Sequence, residues 1–217
     1  MHCTDAWLSP FRFRRCMRQP YGLYGKEEVI LMVVFDKPGA QHTEQTLSIA
    51  IEQAQAQHAP IVVATYSGQT ALTLCRMLEE GSLSVPVYAV RGAAGFHKPG
   101  FKMEAEVEAR LQAYGVQLIS GSHVLSGAER GLSRKYQGIY PVEIIAHTLR
   151  MLGQGTKVCV ECSVMALDGG YIPEDMPVIA VGGTGQGADT CLCLTPAHAS
   201  AILQTKIHDI YCKPSLL

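Results

Sequence analysis

The fold class can be inferred from residues 61–90, which read IVVATYSGQTALTLCRMLEEGSLSVPVYAV. This stretch opens with the apolar run Ile61–Thr65, which has the length of a strand buried on both faces. The turn Ser67–Thr70 follows, then a predicted helix at Ala71–Glu80 and a second apolar run at Val85–Val90. Strand, helix and strand in this order predict a parallel sheet with helices packed against it.

The same alternation extends in both directions along the chain. Upstream, Val29–Phe35 predicts another buried strand, and Thr43 starts a helix whose apolar residues recur at helical spacing. Downstream, the predicted helices are Lys102–Tyr114, Ser126–Tyr136 and Tyr140–Leu152, and the predicted strands are Val116–Ile119, Val158–Val164, Val178–Val181, Asp189–Leu194 and Ile207–Cys212. The sequence therefore predicts an α/β fold.

Length and composition exclude several classes of protein. The chain has 217 residues, which suits one domain, and 47% of them are hydrophobic, as in globular proteins. No apolar run approaches the ~18 residues that a membrane helix needs. The formal net charge of -1 gives no sign of the basic surface that binds nucleic acid. We therefore predict a single α/β domain at residues 26–217 that binds neither membrane nor nucleic acid.

Residues 1–25 differ from the rest in charge. They carry Arg12, Arg14, Arg15 and Arg18 against the single acid Asp5, and they lack the apolar core of a secretory signal. Two interpretations are open, an organelle transit peptide or an extension that precedes the folded domain. We favour the extension and expect it to be poorly ordered.

The eight cysteines are spread along the chain and form no dense disulfide framework. Cys159 and Cys162 match a CxxC pattern, but on the predicted strand Val158–Val164 they point to opposite faces. No second CxxC supports a zinc site, so we predict no metal. Buried, reduced cysteines are typical of a cytoplasmic protein, and this is the predicted location.

Glycine is concentrated in the later part of the chain, where 16 of the 21 glycines lie from Gly92 onward. Charged residues make up only 17%, which favours large pockets or burial in a homo-oligomer. Ligands of parallel α/β sheets collect at the carboxyl ends of the strands, so the glycine loops at those ends are candidates for binding a phosphate through backbone N–H groups. The predicted binding residues are Ser67, Gly68, Gln69, Thr70, Ser126, Gly127, Arg130, Arg134, Gly182, Gly183, Thr184, Gly185 and Gly187.

Two further loops leave the kind of activity open. His123 and Glu129 lie in the glycine-containing segment 120–135, which follows the predicted strand Val116–Ile119, and are candidate acid/base residues of an enzyme. His97 and Lys98 stand in the long loop Gly92–Gly100, which is a candidate binding loop. A small-molecule-binding domain, an enzyme that uses the same pocket and a regulatory module that binds a protein partner all remain open. The binding domain is the leading hypothesis.

Five stretches carry a resemblance to a known family. They are FDKPG (35–39), ATYSGQTA (64–71), SGSHVLSGAERGLSRKYQG (120–138), GTKVCVECSVMALDGGYIP (155–173) and VIAVGGTGQGADT (178–190). In these the chain resembles the pyruvate kinase C-terminal domain superfamily, and more closely the stand-alone proteins often labelled pyruvate kinase α/β domain proteins. The resemblance implies a three-layer α/β/α sandwich with a mixed, mostly parallel sheet that carries an antiparallel strand.

The resemblance also implies a kind of ligand. In pyruvate kinases this domain is regulatory and binds a phosphorylated effector, so no pyruvate kinase activity is expected. Gln69 stands where those kinases often have a basic residue, which weakens the case for a sugar bisphosphate. The stand-alone group is associated with flavin mononucleotide (FMN). We therefore expect a phosphorylated small molecule as the ligand, with FMN as the suspected cofactor.

Overall fold

A mixed sheet of eight strands runs through the described part of the chain, with helices on both faces. The structure is a computed structural model that describes residues 12–15, 31–95 and 102–217, with the backbone alone at 12–15 and at Leu31. The strands are β1 (Arg12–Arg15), β2 (Leu31–Phe35), β3 (Ile61–Ala64), β4 (Val87–Val90), β5 (Gln117–Ile119), β6 (Val178–Gly182), β7 (Thr190–Thr195) and β8 (Lys206–Pro214). The α-helices are α1 (Thr43–Gln57), α2 (Gln69–Glu80), α3 (Ala105–Ala113), α4 (Ala128–Tyr136), α5 (Pro141–Arg150) and α6 (Gln154–Asp168), with 3-10 helices at Ala40–His42 and Ala199–Gln204.

The strand order is β1-β2-β8-β7-β6-β3-β4-β5. The pairs β2–β8, β6–β3, β3–β4 and β4–β5 are parallel. Strand β7 runs antiparallel to both of its neighbours, β6 and β8, and β1 is antiparallel to β2. The mixed, mostly parallel sheet with an antiparallel strand is therefore confirmed. It places the carboxyl ends of β3, β4 and β6 side by side.

Alternate residues of the central strands face different helices. Ile61 and Val63 of β3 belong to the core that α1 and α2 cover, whereas Val62 packs on the opposite face with α6. This alternation follows from the period of two along a strand. All three side chains are fully buried, so the sheet is covered on both faces. The three-layer sandwich is confirmed.

One predicted strand is wrong. The run Val158–Val164 lies inside helix α6, which spans 15 residues. The helix is buried on nearly all sides because it packs between the sheet and α5, so it shows no polar stripe that would reveal a helical period. A short apolar run without such a stripe cannot be assigned to strand or helix from periodicity. The predicted helices α3, α4 and α5 begin one to three residues later than expected, whereas α2 begins two residues earlier, at Gln69.

Little of the predicted N-terminal extension is described. Its residues Arg12–Arg15 form β1, whose backbone pairs with β2, and the rest of 1–25 lies outside the described residues. The boundary at residue 25 therefore stays a prediction. Within the described ranges, no helix combines the length and the apolar character that crossing a bilayer requires.

Candidate functional site

A cavity of about 760 Å³ opens at the carboxyl ends of β3, β4 and β6. It lies where parallel α/β sheets bind their ligands. The strand β3 and the loop into α2 form one wall, and α6 forms another. The lining residues are Ala40, Gln41, Thr43, Glu44, Ala64, Thr65, Tyr66, Ser67, Gln69, Thr70, Thr73, Val90, Arg91, Gly92, His123, Gln154, Val158, Glu161, Cys162, Gly183, Gly185, Gln186 and Gly187.

The loop between β3 and α2 brings a helix N-terminus to this cavity. Ser67, Gln69 and Thr70 line it, and no side chain caps the first turn of α2. Gly68 precedes the helix with φ +88, and an added Cβ would overlap Val107 of α3, so a larger residue does not fit there. The first backbone N–H groups of α2 have no partner within the helix and are available to an anion.

Two more helices begin at the same cavity. Helix α1 continues the 3-10 helix Ala40–His42, since the Thr43 N–H donates to the Ala40 carbonyl, so the free end of this helix lies at Ala40. Ala40 and Gln41 line the cavity, as does Gln154 at the start of α6. Neither helix has a side-chain cap at its N-terminus. Each N-terminus carries a partial positive charge of about half an elementary charge. Three uncapped helix N-termini therefore border one cavity, and they come from distant parts of the sequence.

The glycine loop between β6 and β7 forms the third side. Gly183, Gly185 and Gly187 line the cavity, with φ +85 at Gly185 and +70 at Gly187. A Cβ at Gly187 would lie 2.7 Å from the Ala40 Cα and would overlap the Thr43 hydroxyl, so glycine lets this loop touch the start of α1. Thr43 Oγ1 accepts a hydrogen bond of 3.0 Å from the Ala188 N–H.

A buried carboxylate holds this loop in place. Asp189 is fully buried, and its Oδ2 accepts hydrogen bonds from the Gly39 N–H at 3.1 Å and the Thr184 N–H at 3.2 Å. Its Oδ1 accepts a bond from the Thr190 hydroxyl at 2.9 Å. Asp189 therefore ties the glycine loop to the turn that precedes α1. Nothing in the sequence around Asp189 marks this role, because its partner Gly39 lies 150 residues away.

Helix α6 contributes a buried ion pair at the cavity. Lys157 and Glu161 are each 3% exposed, and the lysine Nζ donates a hydrogen bond to Glu161 Oε2. Glu161 Oε1 also accepts bonds from the Leu125 N–H at 2.9 Å and the Ser126 hydroxyl at 3.1 Å. Burial lowers the pKa of Lys157, and the neighbouring carboxylate opposes that change. Glu161 thus fixes the loop that carries His123.

Lys157 and Glu161 could not be recognised as a pair while Glu161 was assigned to the predicted strand Val158–Val164, which Lys157 directly precedes. Their spacing was the available signal, since oppositely charged residues four apart face one another on a helix. Two charged residues within an otherwise apolar stretch of helical length favour a buried, paired helix over a strand.

His123 and Tyr66 form the aromatic part of the lining. Their ring centroids lie 6.2 Å apart, and the His123 Nδ1 lies 3.5 Å from Glu161 Oε2. Burial lowers the pKa of His123, a change that Glu161 opposes and that Lys157 and Arg130 reinforce. Burial also raises the pKa of Tyr66. Both rings are therefore uncharged near pH 7.

The comparison with known families agrees with this architecture. Residues 44–193 match the family model described as pyruvate kinase, alpha/beta domain, over more than two thirds of the chain. The chain belongs to the pyruvate kinase alpha/beta domain family. Within this alpha/beta domain, the matched range contains the α2 N-terminus, the whole of α6 and the glycine loop. The resemblance inferred from the five sequence stretches is confirmed.

The alpha/beta domain brings together some of the predicted binding residues and separates others. The binding candidates at the cavity are Ser67, Gln69, Thr70, Gly183, Gly185 and Gly187, and the candidate acid/base residue His123 joins them. Gly68, Gly182 and Thr184 flank this lining. Their binding roles stay predictions. The loop residues His97 and Lys98 lie outside the described residues.

The residues predicted in the segment 120–135 have other contacts. Glu129 Oε2 accepts a hydrogen bond of 2.9 Å from the Glu143 N–H, so this carboxylate serves the start of α5 and does not line the cavity. Ser126 binds Glu161, and Gly127 precedes α4. Arg130 and Arg134 lie on α4 and are not among the residues that line the cavity. Glu129 is therefore not placed to act on a ligand in this cavity.

The CxxC prediction is corrected by the helix. Residues three apart share a helix face, so Cys159 and Cys162 do not point to opposite sides as expected for a strand. The Cys159 thiol contacts the Ala180 carbonyl at 3.4 Å, whereas Cys162 borders the cavity. Burial raises the pKa of both thiols. The six described cysteines are free, and the described ranges hold no group of three metal-ligating side chains.

Proposed function

We propose that this domain binds a phosphorylated small molecule in the cavity, with FMN as the preferred cofactor. The observation that carries the proposal is the convergence of three uncapped helix N-termini, at Ala40, Gln69 and Gln154, on one cavity. Helix N-termini attract anions through their free N–H groups and their dipoles. Three helix N-termini offer a phosphate more free N–H donors and more partial positive charge than a single helix would.

The phosphate is proposed to bind at the start of α2. There the N–H groups of the first turn and the hydroxyls of Ser67 and Thr70 are the donors. The glycine loop faces them, and its missing side chains at Gly185 and Gly187 allow backbone to approach the ligand. Arg130 and Arg134 were expected to balance the charge of the phosphate, but the lining supports a role for backbone dipoles instead.

The cavity fits FMN in size and chemistry. Its volume of about 760 Å³ lies within the range of about 300–1,000 Å³ that is usual for small-molecule sites. It combines the hydroxyls of the α2 loop with the rings of Tyr66 and His123 and with apolar side chains of α6 such as Val158, as a ligand with one phosphate and one ring system requires. When bound, FMN would supply redox chemistry; the contribution of Ser67, Thr70 and the glycine loop is to hold and orient it.

The cavity favours this proposal over the two alternatives. An enzyme with His123 and Glu129 as an acid/base pair is disfavoured, because only His123 borders the cavity. A protein-interaction module would require no cavity of this size, although α4 and α5 do expose large apolar side chains such as Tyr136 and Ile144. The predicted homo-oligomer stays a prediction. Cytoplasmic localisation is part of the proposal, and the free, buried cysteines support it.

A direct test starts from the purified chain. We expect a yellow preparation that releases FMN on denaturation, or a ligand-free protein that binds added FMN and inorganic phosphate in isothermal titration calorimetry. Thr70→Val removes one hydroxyl donor and keeps the side-chain shape, so both affinities should fall about tenfold. Thr148→Val, on α5 away from the cavity, is the matched control and should change neither.

The proposal fails if the preparation is colourless and ligand-free and neither FMN nor phosphate gives heat or a thermal shift. It also fails if Thr70→Val and Thr148→Val bind both probes alike.

A further inference from the structure

His123 differs from the other charged or titratable side chains at the cavity. Those that line it within the described ranges are Glu44, Tyr66, Arg91, His123, Glu161 and Cys162. The Arg91 guanidinium is already paired with Glu108 at 2.9 Å. As the pH falls from 8.0 to 5.5, a histidine ring is the group of this set that gains a positive charge. Among these described side chains, His123 alone can therefore add positive charge to the cavity in this pH range.

The groups around His123 hold its protonation in balance. Burial lowers the pKa of His123. Glu161 opposes this change, since its Oε2 lies 3.5 Å from the ring Nδ1, and a hydrogen bond with the Arg91 backbone opposes it as well. The positive charges of Lys157 on α6 and Arg130 on α4 lower the pKa further. A charged ring therefore has hydrogen-bond acceptors in place, and what it lacks is compensation for the two neighbouring cations.

An anion in the cavity would supply that compensation. The start of α2, where the phosphate is proposed to bind, borders the same cavity as His123. The neighbouring ring of Tyr66, whose centroid lies 6.2 Å from that of His123, has a raised pKa and carries no charge near pH 7. Charges interact more strongly in a partly buried site than in bulk water. The negative charge of a ligand would therefore raise the pKa of His123, and by reciprocity the protonated chain would bind that ligand more tightly.

We propose that His123 makes binding at this cavity proton-linked: its ring takes up a proton from solvent when an anionic ligand binds. The inference rests on the proposed function, because the α2 loop holds the ligand's charge, and it adds how that binding is regulated. Affinity for a dianion is highest below the pKa of His123 in the free chain and falls as the pH rises through the higher pKa in the bound chain. The cavity thus retains its ligand in mild acid and releases it more readily in mild alkali.

The first test measures the affinity of the full chain for sulfate by isothermal titration calorimetry at pH 8.0 and 5.5. Sulfate is a dianion at both pH values, so a change in affinity comes from the protein. We expect sulfate to bind about fivefold more tightly at pH 5.5, the effect of raising one histidine pKa by about one pH unit. His123→Gln stays uncharged and should bind sulfate equally at both pH values. His147→Gln, at an exposed position on α5 away from the cavity, is the matched control and should keep the fivefold change.

A second measurement, on the unsubstituted chain, protects the test against misfolding of His123→Gln. NMR titration of the histidine ring signals, assigned through their backbone correlations, is recorded with and without sulfate. The pKa of His123 should rise by about one pH unit when sulfate is present, and that of His147 should stay unchanged.

The outcomes separate the proton linkage from the proposed function. Equal sulfate affinity of the parent chain at both pH values overturns the linkage and leaves the proposed function standing, as does an equal change in His123→Gln and His147→Gln. A His123 pKa that sulfate leaves unchanged has the same meaning, and so does binding of FMN without binding of sulfate. A chain that binds neither sulfate nor FMN at either pH refutes both proposals.

Discussion

Replacing Asp189 should loosen the rim of the cavity and destabilise the whole domain. The fully buried carboxylate accepts three hydrogen bonds, from the Gly39 N–H, the Thr184 N–H and the Thr190 hydroxyl. These three donors belong to three different segments around the glycine loop. Together with the Thr43–Ala188 hydrogen bond, the side chain therefore joins the glycine loop to the turn that precedes α1.

The expected cost follows from the number and type of these bonds. In Asp189→Asn the amide still offers one oxygen, and the Thr190 hydroxyl can turn to accept from the new amide nitrogen. The bonds remain but lose the assistance of the charge, at a total cost of about 2 kcal/mol. Asp189→Ala leaves two backbone N–H groups without their acceptor and should cost about 4 kcal/mol. That is a large part of the ~5–15 kcal/mol stability of an ordinary domain.

Urea denaturation followed by far-UV circular dichroism measures both costs as changes in the free energy of unfolding. The matched control is Asp36→Asn, on the turn that Asp189 contacts. Asp36 is 72% exposed and lies 3.6 Å from the His42 Nε2, so its replacement should cost less than about 0.5 kcal/mol.

Two results would refute the reasoning. In the first, Asp189→Ala unfolds at the same urea concentration as Asp36→Asn, which would mean that the three bonds add nothing. In the second, Asp189→Asn is more destabilising than Asp189→Ala, which would mean that the carboxylate does not act as a hydrogen-bond acceptor for the loop.

Two further predictions concern titration and thiol chemistry. The pKa of His123 is lowered from 6.5 by burial, so the stability it contributes is present above pH 6.5 and is lost as the pH falls through its lowered value. The pKa of His198 is raised by hydrogen bonds with Asp168 and Glu174, so its contribution is present below pH 6.5 and is lost as the pH rises. As the pH falls from 7.5 to 5, the free energy of unfolding of His123→Gln should therefore rise relative to that of the parent chain, and that of His198→Gln should fall. Urea midpoints of the two variants that shift in the same direction relative to the parent chain would contradict this. Burial raises the pKa of Cys75 to about 11, and all six described cysteines are buried, so these thiols should react slowly. After iodoacetamide treatment at pH 8, intact-mass measurement should find at most two labels on the native chain and eight on the denatured chain. Three or more native labels would show that the core thiols are accessible.

The strand–helix–strand unit at residues 61–90 could be predicted because its signals are local. The apolar runs have strand length, Gly68 marks a turn, and the helix between them shows a clear apolar face. Helix α6 could not be predicted in this way. Its character is set by burial between the sheet and α5, and burial on all sides removes the alternation that identifies a surface helix.

The candidate site divides in the same way. Ser67, Thr70 and the glycine loop could be placed at one edge of the sheet, because parallel strands end together and glycines mark the loops. The distant backbone partners of Asp189 and Glu161 could not be assigned, since Gly39 and Leu125 lie 150 and 36 residues away. A carboxylate that accepts backbone N–H groups at such distances leaves no pattern in the sequence around it.

The cavity has a consequence for how the chain folds. Its rim is closed by contacts between Gly39 and Asp189 and between Thr43 and Ala188, which join the first and last thirds of the chain. Contacts of such long sequence separation carry a high loop-closure entropy and form after local structure is in place. A small molecule held there would encounter its complete site only on the finished fold. Saturation with such a molecule would therefore raise the free energy of unfolding of all three layers together, because the ligand binds only the native state.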